Sequence, residues 1–594
     1  MFTYKAPLRD FQFIYHELFS PLDISSMEKY TNTSEDLVDS IWEEGAKLCE
    51  NKLFPINQSG DEEGCDFNDG NVMTPTGFQS AYKSYVEGGW AGLSCAPLFG
   101  GQGLPSSVNN AVEEMMCSAN LAFSTYPGLT HGVYRALHLF GSNEQKKQYL
   151  PKLVSGEWCG TMCLTEAHCG TDLGMIRTRA VPSEDKSYRL TGTKIFITAG
   201  EHDLSENIVH LVLARILDSP SGIKGISLFL VPKFLLDPND MPKTRNSVLC
   251  GSIEDKMGIK ASATCVMNFQ DAVGWLVGEP NKGMQAMFTM MNDARLGVGM
   301  QGLGIAEIAY QAASSYAKER LQGRAIGGSV YPDKPADPIV VHADIRRTLL
   351  IMKSFTEGAR ALTFWVSRNV DLRDHAPTEI ARQEADDFVQ LMTPIVKAFL
   401  TDFGYDVANM SLQIHGGHGY IRSTGVEQFV RDARITQIYE GTNGIQALDL
   451  IGRKIPAHNG RYLRSFFHPL AEWLEIQSSN KELEQFVVPL GKAFSRLQIA
   501  TGHIAQTALS DPNESAAVAS EYLRLFGLVA LGYLWAKMAE ESIPKQKGNE
   551  KTFYTNKITS AKFFFNRILP QTGSLFAAIM SGSEEIINLA DDAF

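Results

Sequence analysis

The sequence predicts an α+β protein with a helical N-terminal domain, a central β-barrel or sandwich domain, a C-terminal helical bundle and an additional C-terminal helical module. Three observations predict it. Apolar residues recur at three and four positions through the opening part, as in "SEDLVDSIWEEGAKLCENKLF". The pattern then changes to short β-branched or alternating runs separated by Gly, Pro, Asn and Ser. Helical periodicity returns at Met284, and "PAHNG" (456–460) sets off the remainder. A chain of 594 residues also exceeds what one hydrophobic core usually supports.

Taken in order, residues 1–158 read as helical, with Ser34 as the N-cap of the first strongly periodic segment. Within them, "GDEEGCDFNDG" has the acids of a calcium loop. Aligned from Asp66, its third ligand position is Gly70 and its closing position Gly77, so a solvated acidic loop is expected. Residues 159–283 hold "YRLTGTKIFITAG", "NIVHLVLARIL", "GISLFLVPK" and "CVMNFQDAVGWLVG", all strand-like. Residues 284–455 return to helix. In 456–594, Leu483, Phe486, Val487, Leu490, Phe494 and Leu497 share one helix face despite Pro489.

Composition excludes some functions. The net charge of −13 provides no broad positive field for nucleic acid. The longest apolar run, Leu525 to Ala536, is too short to span a bilayer and reads as a buried helix, so no membrane insertion is expected. Nine cysteines without a CxxC pair suit a reduced, cytoplasmic protein, and no cleaved leader is evident at "MFTYKAPLRDFQFIYHEL". Cys159, Cys163 and Cys169 fit no common zinc spacing, and no metal is expected.

Several short motifs carry chemistry. "GVGMQG" (Gly297, Gly299, Gly302) matches a dinucleotide fingerprint, but helical sequence precedes it, so small residues at a helix crossing are expected instead. In "CLTEAHCGTDLG", Thr165, Thr171 and Asp172 beside glycines either form a capped turn or bind a polar ring edge or phosphate. "KIFITAG" places Phe196 and Thr198 on one side of a strand by period-two alternation, either as core or flanking a planar group. "KERLQG" ends a helix with Arg320, either a surface residue or a pyrophosphate partner. In "QIHGGHGYI", His415 and His418 are weak metal evidence, whereas Gly416-Gly417 lets backbone approach a ligand. "QIYEGTNGIQ" sets Glu440 at a break between helices, either a surface acid or a base strengthened by desolvation beside Tyr439.

The order "MCLTEAHCGTD", "KIFITAG", "MNDAR", "KERLQG", "QIHGGHGY", "QIYEGTNGIQ" resembles the flavin-dependent acyl-CoA dehydrogenases over residues 40 to 455. The opening segment and the last module are similar to a longer bacterial subgroup with a role in dimethylsulfoniopropionate breakdown. The resemblance implies FAD bordered by Met162, Leu164 and Thr165, met by Phe196 and Thr198, and approached by Thr171, which also nears the CoA end of the substrate. It implies CoA contacts at Asn292 and Arg295, FAD diphosphate contacts at Thr442 and Asn443, and Arg320, Gln413, Gly416 and Gly417 on the FAD of a neighbouring subunit in a homodimer. Glu440 is implied as the base that removes the α-proton of an acyl-CoA. Its backbone N–H and a ribityl hydroxyl would bind the thioester carbonyl while the β-hydride goes to the flavin. An electron-transfer flavoprotein is the implied acceptor. A methylthio-substituted propanoyl thioester is one implied substrate; medium or long fatty acyl-CoAs, or oxygen as acceptor, are the alternatives. The family's usual proline, serine and tryptophan are replaced here by Ala167, Thr171 and Phe196.

Overall fold

Ser34 accepts a hydrogen bond from the Leu37 N–H at 3.2 Å and starts helix Glu35–Leu48, as its position in the sequence predicts. The structure, a computed structural model, describes residues 2–19, 24 and 27–594. These fall into two compact units. One comprises Glu44–Leu104 and Met115–Gly297; the other comprises Met1–Glu43, Pro105–Glu114 and Val298–Phe594.

The first unit begins with a correction. The acidic stretch expected as a solvated loop ends helix Asn57–Glu63 and then forms a hairpin, β1 (Asp66–Asn68) with β2 (Asn71–Met73). Asp69 and Gly70 both have positive φ (48° and 82°), which a two-residue turn between right-twisted strands requires. Helices Leu121–Phe140 and Asn143–Ser155 follow, the first capped by Asn120 and the second by a Ser142–Gln145 capping box.

The β domain comprises β3 (Trp158–Cys163), β4 (Arg179–Pro182), β5 (Tyr188–Thr198), β6 (Asn207–Ile216) and β7 (Ile226–Pro232), then the pair β8 (Phe234–Leu236) and β9 (Pro242–Arg245), then β10 (Val248–Ile253) and β11 (Thr264–Val277). Strands β11, β5, β4, β6 and β7 pair in a closed ring, because β7 joins both β6 and β11. β10 lies on β11, and β3 runs parallel to β6. Packing on both faces explains why β6 is buried from Asn207 to Ala214. Val209, Leu211 and Leu213 pack with the helices outside, while Val212 and Ala214 join the core with Leu190, Phe229 and Phe269.

In the second unit, Gly299 and Gly302 of "GVGMQG" lie inside helix Gly283–Glu319. A Cβ on Gly299 would come within 2.5 Å of Val396, and one on Gly302 within 2.6 Å of the Leu400 carbonyl. Helix Glu379–His415 crosses there at backbone contact, as the sequence predicts. Helices Ala343–His375, Glu427–Thr436 and Asn443–Asp449 complete this layer.

The last module packs into the same unit through helices Arg461–Gln477, Glu484–Ser510, Ala519–Ser542, Lys551–Phe563 and Thr572–Met580. The six residues from Leu483 to Leu497 that share a face are all buried. Gly527 lets helix Ala519–Ser542 press against the Phe399 ring, and Trp535 donates to the Ser354 carbonyl at 3.0 Å. Buried Arg360 bonds Asp10, Glu114 and Glu307, and buried Lys557 bonds Asp10 and Glu357. The N-terminal segment and the last module therefore share one ion-pair network with the helical bundle. Such a network contributes little net stability over an apolar one, but removing one member leaves charges stranded. Among the described residues, no helix is long and apolar enough to cross a membrane.

Candidate functional site

In the β unit, the segments around Leu164 and Phe196 lie side by side. Ile195 N–H donates to the Thr165 carbonyl at 2.9 Å, and Lys194 Nζ donates to the Leu164 carbonyl at 2.9 Å. Lys194, fully buried, also bonds Glu166 at 2.8 Å. Glu166 accepts in addition from Thr178 Oγ1 (2.6 Å), Thr178 N–H (3.0 Å) and Arg177 N–H (2.8 Å). Burial alone would raise this carboxyl. The Lys194 charge and these donors overcome it and hold the group down at about 2. Glu166 is thus an ionised anchor for the loop and a poor proton acceptor. Nothing in "LTEAHCG" or "TKIFI" signals that pairing, because the two segments are about 28 residues apart.

A bulge lies at the start of the Phe196–Thr198 pair. Phe196 has φ 60°, and the pairing of β5 with β11 shifts between Lys194 and Ile197. Strict alternation would put Lys194 and Phe196 on one face, yet Lys194 is buried and Phe196 is 60% exposed. The bulge turns the aromatic ring outward. Beyond it the expected alternation resumes, with Ile197 buried and Thr198 half-buried. Met162 and Thr165 are half-buried, Leu164 is buried, and Thr171 is exposed in the turn that Asp172 caps.

Arg295 is largely buried and donates to Asn292 Oδ1 at 3.3 Å, one helical turn earlier. Both predicted CoA-contacting residues therefore lie on one face of helix Gly283–Glu319.

In the helical unit, Glu440 follows helix Glu427–Thr436 and precedes helix Asn443–Asp449. It is half-buried, and its φ is 57°, with Gly441 next at 86°. A non-glycine residue held this way costs about 1–3 kcal/mol, so the surroundings must enforce it. They do. Gln446 Nε2 donates to the Glu440 carbonyl at 3.1 Å and the Gly441 carbonyl at 3.3 Å. Lys397 Nζ reaches the Gly441 carbonyl at 2.8 Å. Tyr439 Oη donates to Gln301 Oε1.

The Asn443 side chain is engaged within the protein. Its amide nitrogen donates to Asp402 (2.7 Å), Thr401 (2.9 Å) and the Ala398 carbonyl (3.2 Å), and its oxygen accepts from Lys397 at 2.8 Å. The side chain faces inward and holds the turn. Thr442, its neighbour, is exposed.

Arg320, Gln413, Gly416 and Gly417 are all exposed. Tyr316, one turn before Arg320, stacks on His415 with ring centroids 4.3 Å apart, which brings the helix end carrying Arg320 towards the glycine doublet. His415 donates through Nδ1 to the Ser411 carbonyl at 2.8 Å, and burial lowers its pKa, so it is a neutral packing residue. Gly416 has φ 59° and ψ −137°, a conformation suited to glycine, and open space surrounds both glycines where a Cβ would project. Among the described residues, no group of three or more His, Cys, Asp or Glu could hold a metal ion.

Models of the acyl-CoA dehydrogenase family match along the chain: the N-terminal domain over residues 39–157, the middle domain over 161–272 and the C-terminal domain over 281–455. An acetyl-CoA dehydrogenase C-terminal-like model matches residues 466–590. The 3-methylmercaptopropionyl-CoA dehydrogenase of Ruegeria pomeroyi is 42% identical, covering 98% of this chain and 99% of its own. A broad-specificity linear acyl-CoA dehydrogenase of Mycobacterium tuberculosis is 32% identical over the full length of both. The Bacillus anthracis acyl-CoA dehydrogenase solved with FAD superposes with a TM-score of 0.74 at 22% identity, covering 93% of this chain and 89% of that one.

Proposed function

The chain belongs to the acyl-CoA dehydrogenases, FAD-dependent oxidoreductases, and from that premise we propose that it converts 3-(methylthio)propanoyl-CoA to 3-(methylthio)acryloyl-CoA in the cytoplasm, as a step in dimethylsulfoniopropionate breakdown. The observation that carries the substrate is the 42% identity to the R. pomeroyi enzyme across nearly the whole of both chains. The 32% identity to a broad-specificity enzyme favours a second reading, in which linear acyl-CoAs of several lengths are accepted.

FAD, when bound, supplies the acceptor for the hydride that leaves the β-carbon. Met162, Leu164, Thr165, Phe196 and Thr198 would hold its ring, with Thr171 nearby. Asn292 and Arg295 would hold the CoA portion, and exposed Thr442 the diphosphate. Glu440 accepts the α-proton. An α-hydrogen of a thioester is a weak acid, so this base has to be held close to it and away from bulk water. Support comes from the enforced left-handed turn, which fixes where the Glu440 side chain begins. Exposed Arg320 and Gln413 with Gly416-Gly417 complete the cofactor site of a second copy, making the enzyme a homodimer with shared cofactors. An electron-transfer flavoprotein reoxidises it.

Anaerobic bleaching of the bound flavin across a panel of acyl-CoAs tests the substrate. Fastest bleaching by the methylthio thioester is expected. Equal rates along a linear series would favour the broad reading, and rapid reoxidation by air would make it an oxidase. Arg320→Ala should weaken FAD retention and dimerisation together; a monomer holding FAD normally would refute the shared site.

A further inference from the structure

Lys397 sits inside helix Glu379–His415 with its side chain completely buried. A buried ammonium is tolerated only where its charge is met. Here the Gly441 carbonyl and Asn443 Oδ1 meet it, each at 2.8 Å. Asn443 passes the interaction on to the Asp402 carboxylate at 2.7 Å, which also accepts from the Gln437 amide at 2.8 Å. The bonds thus grip the chain on both sides of Glu440, at Gln437 before it and at Gly441 and Asn443 after it. Gln446 holds the Glu440 carbonyl itself.

We propose that Lys397 is a positioning residue for the catalytic base: its ammonium fixes the left-handed Glu440–Gly441 backbone and so aims the Glu440 carboxylate. A carbonyl lone pair is a directional acceptor, and a charged donor makes a stronger bond to it than a neutral one. Helix Glu379–His415 is anchored by backbone-close packing at Gly302 and Gly404, so the lysine is delivered from a rigid support. The proposal rests on Glu440 being the base.

The test compares Lys397→Met, Lys397→Gln and Glu440→Gln as FAD-loaded proteins. Lys397→Met should slow substrate-driven flavin bleaching about 10²-fold, the scale of an ångström-sized misplacement. KM should change little and FAD content not at all. The α-deuterium isotope effect should rise, and amide hydrogen exchange should quicken over residues 437–446. Lys397→Gln, which keeps a neutral donor, should lose less. Wild-type rate and exchange in Lys397→Met beside an inactive Glu440→Gln would overturn the proposal while sparing the base. Near-normal turnover of Glu440→Gln would instead remove the base reading itself. A slower rate with unchanged exchange would also overturn the proposal, since the lysine would then act through its charge alone. Failure of both lysine variants to fold would do so too, by assigning the bonds to the fold.

Discussion

Glu166 and Glu440 are both acids outside the regular elements, and each lies near a fully buried lysine, yet the two regions are built differently. Lys194 meets the Glu166 carboxylate itself, and three further donors join it. Lys397 meets the main chain beside Glu440. A carboxylate clamped by charge stays ionised and gives up proton chemistry, as the value of about 2 for Glu166 expresses. A backbone clamped by charge presents its side chain from a fixed origin. On the proposed reading, Lys194 serves an anchoring acid and Lys397 serves the backbone that carries the base.

The largest effect that comparison predicts is at Glu440. Glu440→Gln is nearly isosteric and leaves in place the bonds to the Glu440 and Gly441 carbonyls. The amide cannot accept the α-proton, so bleaching by acyl-CoA should fall by about 10²–10⁴-fold or more while FAD stays bound. Glu440→Asp should fall between, since its shorter arm retracts the base. Rapid bleaching by the glutamine variant, measured under stopped flow, would break the comparison at its functional half.

Glu166→Gln should do the reverse. It leaves Lys194 buried without its counter-charge, a loss of about 3–5 kcal/mol in stability. Chemistry per bound FAD should be nearly normal in whatever fraction stays folded. The pH dependence follows from the same pair. A carboxyl held below its ordinary 4.5 stabilises the fold above that range, and its contribution is lost as pH falls from about 4.5 towards about 2. Thermal unfolding of the wild type should weaken through that window, and the glutamine variant should show a flatter profile there. A glutamine variant as stable as wild type would mean the anchor is ornamental.

Much of this was legible in the sequence, and the illegible part has a common cause. Motif order gave the family, Glu440 stood out as an acid at a helix break, and Gly299 and Gly302 read correctly as a crossing. Those signals are local. Lys397 in "PIVKAFLTDF" looks like any helical lysine, because its partners Gly441 and Asn443 lie more than forty positions away. Strict alternation would put Lys194 and Phe196 on one face, and only the pairing of β5 with β11 reveals the bulge that separates them. For Asn443 the family resemblance implied a diphosphate contact and gave no sign of its side chain's bonds to Thr401 and Asp402 on a neighbouring helix. Residues that touch ligands announce themselves in short motifs. Residues that position them are chosen by tertiary partners.

The smallest predicted effect sharpens the comparison most. Tyr439 precedes Glu440, and its hydroxyl donates to Gln301 Oε1 on helix Gly283–Glu319. Tyr439→Phe removes that one bond without touching the carbonyl grip from Gln446 and Lys397. A neutral hydrogen bond contributes about 0.5–1.5 kcal/mol net, so even its full loss in the transition state would slow bleaching by about 2–12-fold. If the backbone grip dominates, the slowing should sit at the low end, with FAD content and the α-deuterium isotope effect unchanged. A loss approaching that of Lys397→Met would show that the ring, rather than the lysine, sets the direction of Glu440. In that case the turn would be held from its N-terminal side, and the contrast with Glu166 would rest on an aromatic strut instead of a buried charge.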